Sequence, residues 1–346
     1  MGKARAWLVV GSACVALSAC GGDGGGGGGG NDAGTGTPKT VDELCAAVTD
    51  AIANRASVCF GGPQAAWRTL VAGEGATALC TQWSKGVAAG RISFDASESK
   101  ACLDSLPSVA CSDLIGGPQP AACRGALAGQ VSIGSACYAD SECSGEGVIC
   151  DLIATCPGRC AARIGAGGSC AASGAVCAFG ATCAAGVCVA DANTGQACGQ
   201  DLPACKYGLV CLAQTSPATT GTCEPESPNG ACVTSSTCLP TFACAGPDGS
   251  SQCAPAKAEG QACTEGHFEC AVLTSCVAGK CQAFPSLGGA CDPTGARGEG
   301  SDCLQGTCSG GRCVALLGKG QACQLDSACA SGVCASGACT AACQAP

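Results

Sequence analysis

The sequence predicts a small disulfide-rich repeat array, with little regular secondary structure beyond short β-hairpins, preceded by a small disulfide-bonded α-helical domain. Three observations predict it. The chain holds 38 cysteines in 346 residues, a density that marks a disulfide scaffold in an oxidising compartment. Aromatic residues make up only 3%, so the positive mean hydropathy comes from alanine and cysteine and not from large core formers. The motif Gly-x-x-Cys recurs with a period of about 31 residues, which marks an array and not a globular domain. Apolar burial yields about 25 cal/mol per Å², and alanine offers little area. Cross-links have to supply the order, and a disulfide closing a loop of about 15 residues contributes roughly 3 kcal/mol in the chain-entropy account.

Residues 1–19 read as a secretory signal: Lys3 and Arg5, an apolar run from Ala6 to Val15, then small residues. The run is too short for a membrane span, which takes about 20 apolar residues. Leu17-Ser18-Ala19-Cys20 resembles the lipobox of bacterial lipoproteins. That resemblance implies a diacylglyceryl group on the Cys20 thiol, cleavage before Cys20 and acylation of the new amine, so lipid on Cys20 makes the membrane a partner. Gly21 stands where an aspartate would resemble an inner-membrane retention signal. The expected location is therefore the outer membrane, facing the periplasm or the surface. Taking Cys14 and Cys20 from the 38 cysteines leaves 36, an even number that lets every thiol pair.

Residues 20–39 form a lipidated glycine-rich linker with an unbroken run from Gly24 to Gly30. Such a chain spans roughly 20–25 Å. Its trivial Gly-x-Gly-x-x-Gly match has no strand before it and no Gly-Lys-Ser/Thr after it, so it is not a phosphate loop.

Residues 40–125 read as a cysteine-containing bundle of about four helices. Thr40-x-x-Glu43 is a capping box, and Leu44, Val48 and Ile52 share one helix face. Gly61-Gly62 end that unit, Pro63 suits a helix start, and Ala66, Trp67, Leu70 and Val71 form the next stripe. A third stretch runs near 77–87 with Leu79, Cys80, Trp83 and Val87. Asp95-x-x-Glu98 caps a fourth, with Ala101, Cys102, Leu103 and Leu106, closed by Pro107. Trp67 and Trp83 read as core. The cysteines are Cys45, Cys59, Cys80, Cys102, Cys111 and Cys123, a set that sequence alone leaves free to pair in any of 15 ways.

Residues 134–346 hold seven cysteine-rich repeats. They begin at Gly134, Gly167, Gly195, Asn229, Gly260, Gly288 and Gly320, each three residues before a cysteine. Glycine and asparagine both tolerate positive φ, which predicts a turn there. The units contain Cys137, Cys143, Cys150, Cys156 and Cys160; Cys170, Cys177, Cys183 and Cys188; Cys198, Cys205, Cys211 and Cys223; Cys232, Cys238, Cys244 and Cys253; Cys263, Cys270, Cys276 and Cys281; Cys291, Cys303, Cys308 and Cys313; and Cys323, Cys329, Cys334, Cys339 and Cys343. The last gap often reads as a tight hairpin, as from Cys276 to Cys281. The two terminal units each hold one cysteine too many. A frame shifted by one, with groups starting at Cys137, Cys160, Cys188, Cys223, Cys253, Cys281 and Cys313 and a local Cys339–Cys343 bond, resolves the parity. It predicts bonds across repeat junctions and a stiff rod.

Gly134-Ser-Ala-Cys137-Tyr-Ala-Asp140-Ser-Glu-Cys143, followed by Cys150 and Cys156-Pro-Gly-Arg-Cys160, resembles the N-terminal cysteine-rich region of the Dickkopf family. Cys323-Gln-Leu-Asp326-Ser-Ala-Cys329 echoes it, while the middle repeats share only cysteine and glycine spacing. The resemblance implies a small disulfide-stapled extracellular fold. The co-receptor antagonism of the animal family does not transfer to a chain whose lipobox implies a bacterium.

Charge speaks against nucleic acid as a partner. The net charge is −9, it falls to about −11 once Lys3 and Arg5 leave with the signal, and phosphates would repel it. No Cys-x-x-Cys occurs, which removes the thioredoxin motif. The pairs Cys156/Cys160 and Cys339/Cys343, of zinc-like spacing, lie at opposite ends of the array, so disulfide is the expected state. His267, the single histidine, lies in a short loop between Glu265 and Glu269 and reads as solvated. Asp292, Glu299 and Asp302 share a loop with Arg297 and match no calcium-loop spacing. No catalytic, cofactor or metal residue is expected, and no enzyme. The leading expectation is a lipid-anchored envelope protein that binds an unknown protein or envelope partner, adheres, or serves a structural role. Its rivals are a protease inhibitor or effector acting through an inter-cysteine loop, and an enzyme sited in the histidine-free helical domain.

Overall fold

The computed structural model describes residues 36–343 apart from 115–119, 153–155, 173–174, 200, 207, 213–219, 226–231, 233–237, 239–240, 247–251, 265–268, 292–302, 325–327, 331–333, 336 and 340–342. It is a disulfide-rich array of short antiparallel hairpins preceded by a helical unit. Among the described residues, no helix is long and apolar enough to cross a membrane.

The helical unit runs α1 (Val41–Phe60), α2 (Gln64–Val71), α3 (Glu74–Ala88), β1 (Ile92–Phe94), α4 (Ala96–Ser105) and the single turn α5 (Cys111–Leu114). Thr40 Oγ1 accepts from the Glu43 amide at 3.1 Å, and the Glu43 carboxylate accepts from the Lys39 amide at 2.6 Å. Gly61 ends α1 at φ 76°. The Asp95 carboxylate caps α4 by accepting from the Ser97 and Glu98 amides. The backbone hydrogen bonds to Glu98 hold this carboxyl below its ordinary value of 3.8, with further help from the Ser97 hydroxyl and amide. Cys45–Cys80 staples α1 to α3, Cys59–Cys111 staples α1 to α5, and Cys102–Cys123 staples α4 to the turn before β2 (Leu127–Gly129). Strand β2 pairs antiparallel with β1, Ile92 facing Gly129. Three-residue strands carry too little alternation to read from sequence, and this small sheet adds to the all-helical unit that the sequence predicts.

Each repeat is a knot on a hairpin. The first pairs β4 (Val148–Asp151) with β5 (Gly158–Ala162), and β3 (Ala136–Cys137) joins the β5 edge. The second pairs β6 (Ala181–Ala184) with β7 (Val187–Ala190). In the third, β10 (Thr220–Pro225) lies between β8 (Ala197–Gly199) and β9 (Leu209–Leu212). The remaining hairpins are β11 (Phe242–Ala245) with β12 (Gln252–Pro255), β13 (Thr274–Val277) with β14 (Lys280–Ala283), β15 (Thr307–Ser309) with β16 (Arg312–Val314), and β17 (Cys334–Ala335) with β18 (Ala338–Cys339).

In every knot the third and fourth cysteines of the pattern stand directly opposite each other across the hairpin, as Cys150 faces Cys160 and Cys276 faces Cys281. Opposed residues of an antiparallel pair share one face, so both sulfurs reach the loop that carries the first two cysteines. The result is a crossed pattern. First bonds third in Cys137–Cys150, Cys170–Cys183, Cys198–Cys211, Cys232–Cys244, Cys263–Cys276, Cys291–Cys308 and Cys323–Cys334. Second bonds fourth in Cys143–Cys160, Cys177–Cys188, Cys205–Cys223, Cys238–Cys253, Cys270–Cys281, Cys303–Cys313 and Cys329–Cys339. The starting glycine closes the knot. Gly134, Gly167, Gly195, Gly260, Gly288 and Gly320 all have φ between 78° and 89°, and each amide donates to the carbonyl of the last cysteine of its knot at 2.7–2.8 Å. Only glycine adopts that conformation without strain, which accounts for the motif.

This pairing overturns the shifted frame. Cys188, Cys223, Cys253 and Cys281 all bond within their own repeats. The surplus cysteines of the terminal units, Cys156 and Cys343, bond each other across a sequence separation of 187. A straight rod cannot bring them together, so the array folds back on itself.

The helical unit is the hub of that fold. On one side it holds the first repeat. Arg91 Nε donates to Glu142 Oε1 at 2.9 Å, Gln82 Nε2 donates to the Tyr138 carbonyl at 2.6 Å, and Trp83 Nε1 donates to Ser141 Oγ at 2.9 Å. Glu142 is fully buried, and its second oxygen accepts from the Tyr138 amide at 2.9 Å. On another side, Ala53, Ala56, Phe60, Trp67 and Leu114 share one apolar core with Leu273 and Leu304 of the fifth and sixth repeats. Gln305 Nε2 also donates to the Thr69 carbonyl at 2.7 Å. Trp67 and Trp83 are both core residues, in separate clusters: that of Trp67 spans the helical unit and the array, while that of Trp83 lies within the helical unit.

Candidate functional site

The residues singled out from sequence fall into three groups. Cys20 and its lipobox lie outside the described residues, as do His267, Asp292, Glu299 and Asp302. The remaining cysteines, from Cys45 to Cys343, are each in a disulfide. Within the knots the crossed bonds bring sulfurs of three cysteines within 4.8 Å of one another, as at Cys137, Cys143 and Cys160. Such a group has the spacing of a ligand set. Its sulfurs are bonded to sulfur, however, and the ligand a metal takes from cysteine is the thiolate. The groups are the geometric signature of two disulfides crossing inside a small hairpin core. The disulfide load is that of an exported protein.

The surface feature with the chemistry of a recognition site lies at the junction of the first and second repeats. Ile164 in the connecting segment bridges to Cys177 in parallel. Its amide donates to the Val176 carbonyl and its carbonyl accepts from the Ala178 amide, both at 2.8 Å. That register sets Arg163 beside Phe179, with the guanidinium carbon 4.4 Å from the ring centroid. Gly180 at φ 77° turns the chain away behind the ring. Phe179 is left 81% exposed, in a chain with only six phenylalanines. Arg163 N donates to the Gly147 carbonyl at 2.8 Å, while its Nε is buried without a hydrogen-bond partner. A cation stacked on an exposed aromatic ring is attracted to it by about 0.5–1 kcal/mol, and arginine and large aromatics are the residues that carry binding energy at interfaces. Val176 and Val187, on either side of the Cys177–Cys188 bond, are also exposed apolar residues.

Comparison with protein-family models, with curated proteins and with solved structures finds no match to this chain. Its cysteine-rich character and repeated disulfide-linked hairpins are therefore read from its own residues and geometry.

Sequence reasoning passed over Arg163 and Phe179. Their partnership depends on a parallel bridge between a linker and the second cysteine of the next knot. The same bridge recurs as Val131 to Cys143, Ala192 to Cys205, Lys257 to Cys270 and Leu317 to Cys329. A signal was present: among the described residues, a residue 12 or 13 positions before the second cysteine meets it in five of the knots. The spacing becomes readable only once the knot is known.

Proposed function

We propose that this chain is an exported, lipid-anchored envelope protein with a binding, adhesion or structural role and no catalytic activity. The observation that carries the reading is the complete pairing of the cysteines from Cys45 to Cys343. A fully oxidised scaffold of this kind belongs outside the reducing cytosol, and a chain with its thiols consumed has no cysteine nucleophile to offer. Lys3, Arg5 and the Leu17-Ser18-Ala19-Cys20 lipobox supply the route and the anchor, with Gly21 favouring the outer membrane. The first knot is Dickkopf-like in its spacing. Its Asp140 carboxylate accepts from the Cys150 amide at 2.8 Å, which gives the aspartate of that motif a structural use. The knots present small, rigid surfaces around a hub, and Phe179 on Arg163 is the part of that surface best suited to a protein partner.

Mass spectrometry of the mature N-terminus tests the anchor. The expected species begins at Cys20 and carries diacylglyceryl and an acylated amine; a free Cys20 amine or an intact signal contradicts it. Binding is tested by presenting the chain from Thr40 onward to solubilised envelope under non-reducing conditions, beside Phe179→Ala. Capture that the substitution abolishes supports the reading; capture indifferent to it removes Phe179 from the account.

A further inference from the structure

We infer that the Cys156–Cys343 disulfide is a redox modification site, cut ahead of the others by thiol–disulfide exchange with a dithiol, and that its reduction releases the seventh knot from the first. Four independent observations single this bond out. It is the bond that departs from the crossed pattern, since the other repeat disulfides all join first to third or second to fourth cysteine of one knot. It closes a separation of 187 residues, where the remaining bonds close between 10 and 52. Every other disulfide has at least one buried cysteine, whereas Cys156 is exposed and Cys343 is only half-buried. Finally, it links two units that each hold together without it. The seventh knot has a core of its own residues, Cys323, Cys329 and Cys339 with Leu317 and Cys334. The first knot is built on Cys137, Cys143, Cys150 and Cys160 and is anchored to the hub through Glu142.

The chemistry follows from access. In exchange, one thiolate of the dithiol attacks a sulfur of the bond along the S–S axis. The S–S bond breaks, a mixed disulfide forms, and the other cysteine leaves as a thiolate and takes up a proton. The second thiol of the reagent then attacks the mixed disulfide and releases the first cysteine. Two electrons and two protons pass from the dithiol, which ends as a disulfide, to Cys156 and Cys343, which end as thiols. A knot disulfide resists both steps. Its sulfur is covered, and a crossed partner bond keeps the two thiols together, so they re-form the bond. Cys156 and Cys343 lack such a second tie. Once the bond is cut, the fifth and sixth repeats remain on the hub through Leu273 and Leu304, and the seventh knot swings free beyond Leu317. Exposed bonds of this type are the labile and regulatory ones, while buried structural bonds resist reduction.

The test uses the whole mature protein, limiting dithiothreitol and a maleimide quench, followed by peptide mapping. Cys156 and Cys343 should be labelled at least tenfold sooner than any other pair, and the singly reduced, blocked protein should show a larger radius of gyration in small-angle scattering. The double variant Cys156→Ser/Cys343→Ser should match that larger radius and lose its response to the same dose of dithiothreitol. Label appearing first in a knot, label spread over many pairs, or a radius unchanged after selective labelling would each overturn the inference. If the double variant fails to fold, the labelling order and radius of the unsubstituted protein decide alone.

Discussion

Replacing Arg91 with methionine removes the cation that faces the buried carboxylate of Glu142. The Glu142 side chain is 0% exposed and that of Arg91 21%, with 2.9 Å between Nε and Oε1. Breaking a buried pair from one side leaves an uncompensated charge and costs about 3–5 kcal/mol. Because water reaches part of the guanidinium, the expected loss lies near the low end, about 3 kcal/mol. Arg91 also lies over the Tyr138 ring, 5.1 Å from its centroid, a contact the methionine keeps only in part. The assay is urea unfolding under non-reducing conditions, followed by tryptophan fluorescence. Trp83 donates to Ser141 across the same junction, so its signal reports the docking of the first repeat. The double variant Arg91→Met/Glu142→Gln should recover at least about 1 kcal/mol of the single loss, since contacting residues couple by that order. A single-variant loss below about 1 kcal/mol, or strictly additive losses, would show that the first repeat is not held on the hub by this pair.

Two further predictions probe backbone and pH. A Cβ at Gly129 would meet the Cys143 carbonyl oxygen at 2.3 Å, while at Gly134 it would meet nothing within 4 Å but face φ 85°. Gly134→Ala should therefore cost about 1–2 kcal/mol of local strain with a native Trp83 spectrum, whereas Gly129→Ala should push the first repeat off β2 and shift that spectrum. Equal spectra for the two would contradict the packing. The Asp95 carboxyl titrates below its ordinary 3.8 in the folded chain because it accepts the Glu98 and Ser97 hydrogen bonds. A depressed folded value makes the capping contribution complete above 3.8 and lost as pH falls through that depressed value. Urea midpoints of the native chain and Asp95→Asn should differ at neutral pH and converge in strong acid; a gap that persists in acid would refute the assignment.

The helical unit was legible because its signals are local. Thr40 and Asp95 cap the helices they precede, and the stripe around Leu44 and Val48 faces the core. The tight hairpins were legible for the same reason, since a gap as short as that from Cys276 to Cys281 admits little else. What stayed hidden depends on contacts far apart in the chain. Parity leaves one cysteine over in each terminal unit without saying which, and an extended array disfavours their meeting, so parity points to the shifted frame; the pair is Cys156 with Cys343. Two leucines, Leu273 and Leu304, reverse that judgement by burying themselves against Phe60 and Trp67. In a segment so poor in large apolar side chains, these are the ones that decide where it docks. The exposed Phe179 was hidden for a related reason: its exposure follows from the bridge at Ile164, which no periodicity announces.

The most direct measurement is the disulfide map of the native protein by partial reduction and mass spectrometry without scrambling. The account predicts crossed pairs inside every repeat and a single long-range peptide pair joining Cys156 to Cys343. A Cys339–Cys343 bond, or bonds from Cys188, Cys223, Cys253 and Cys281 into the following repeats, would contradict it.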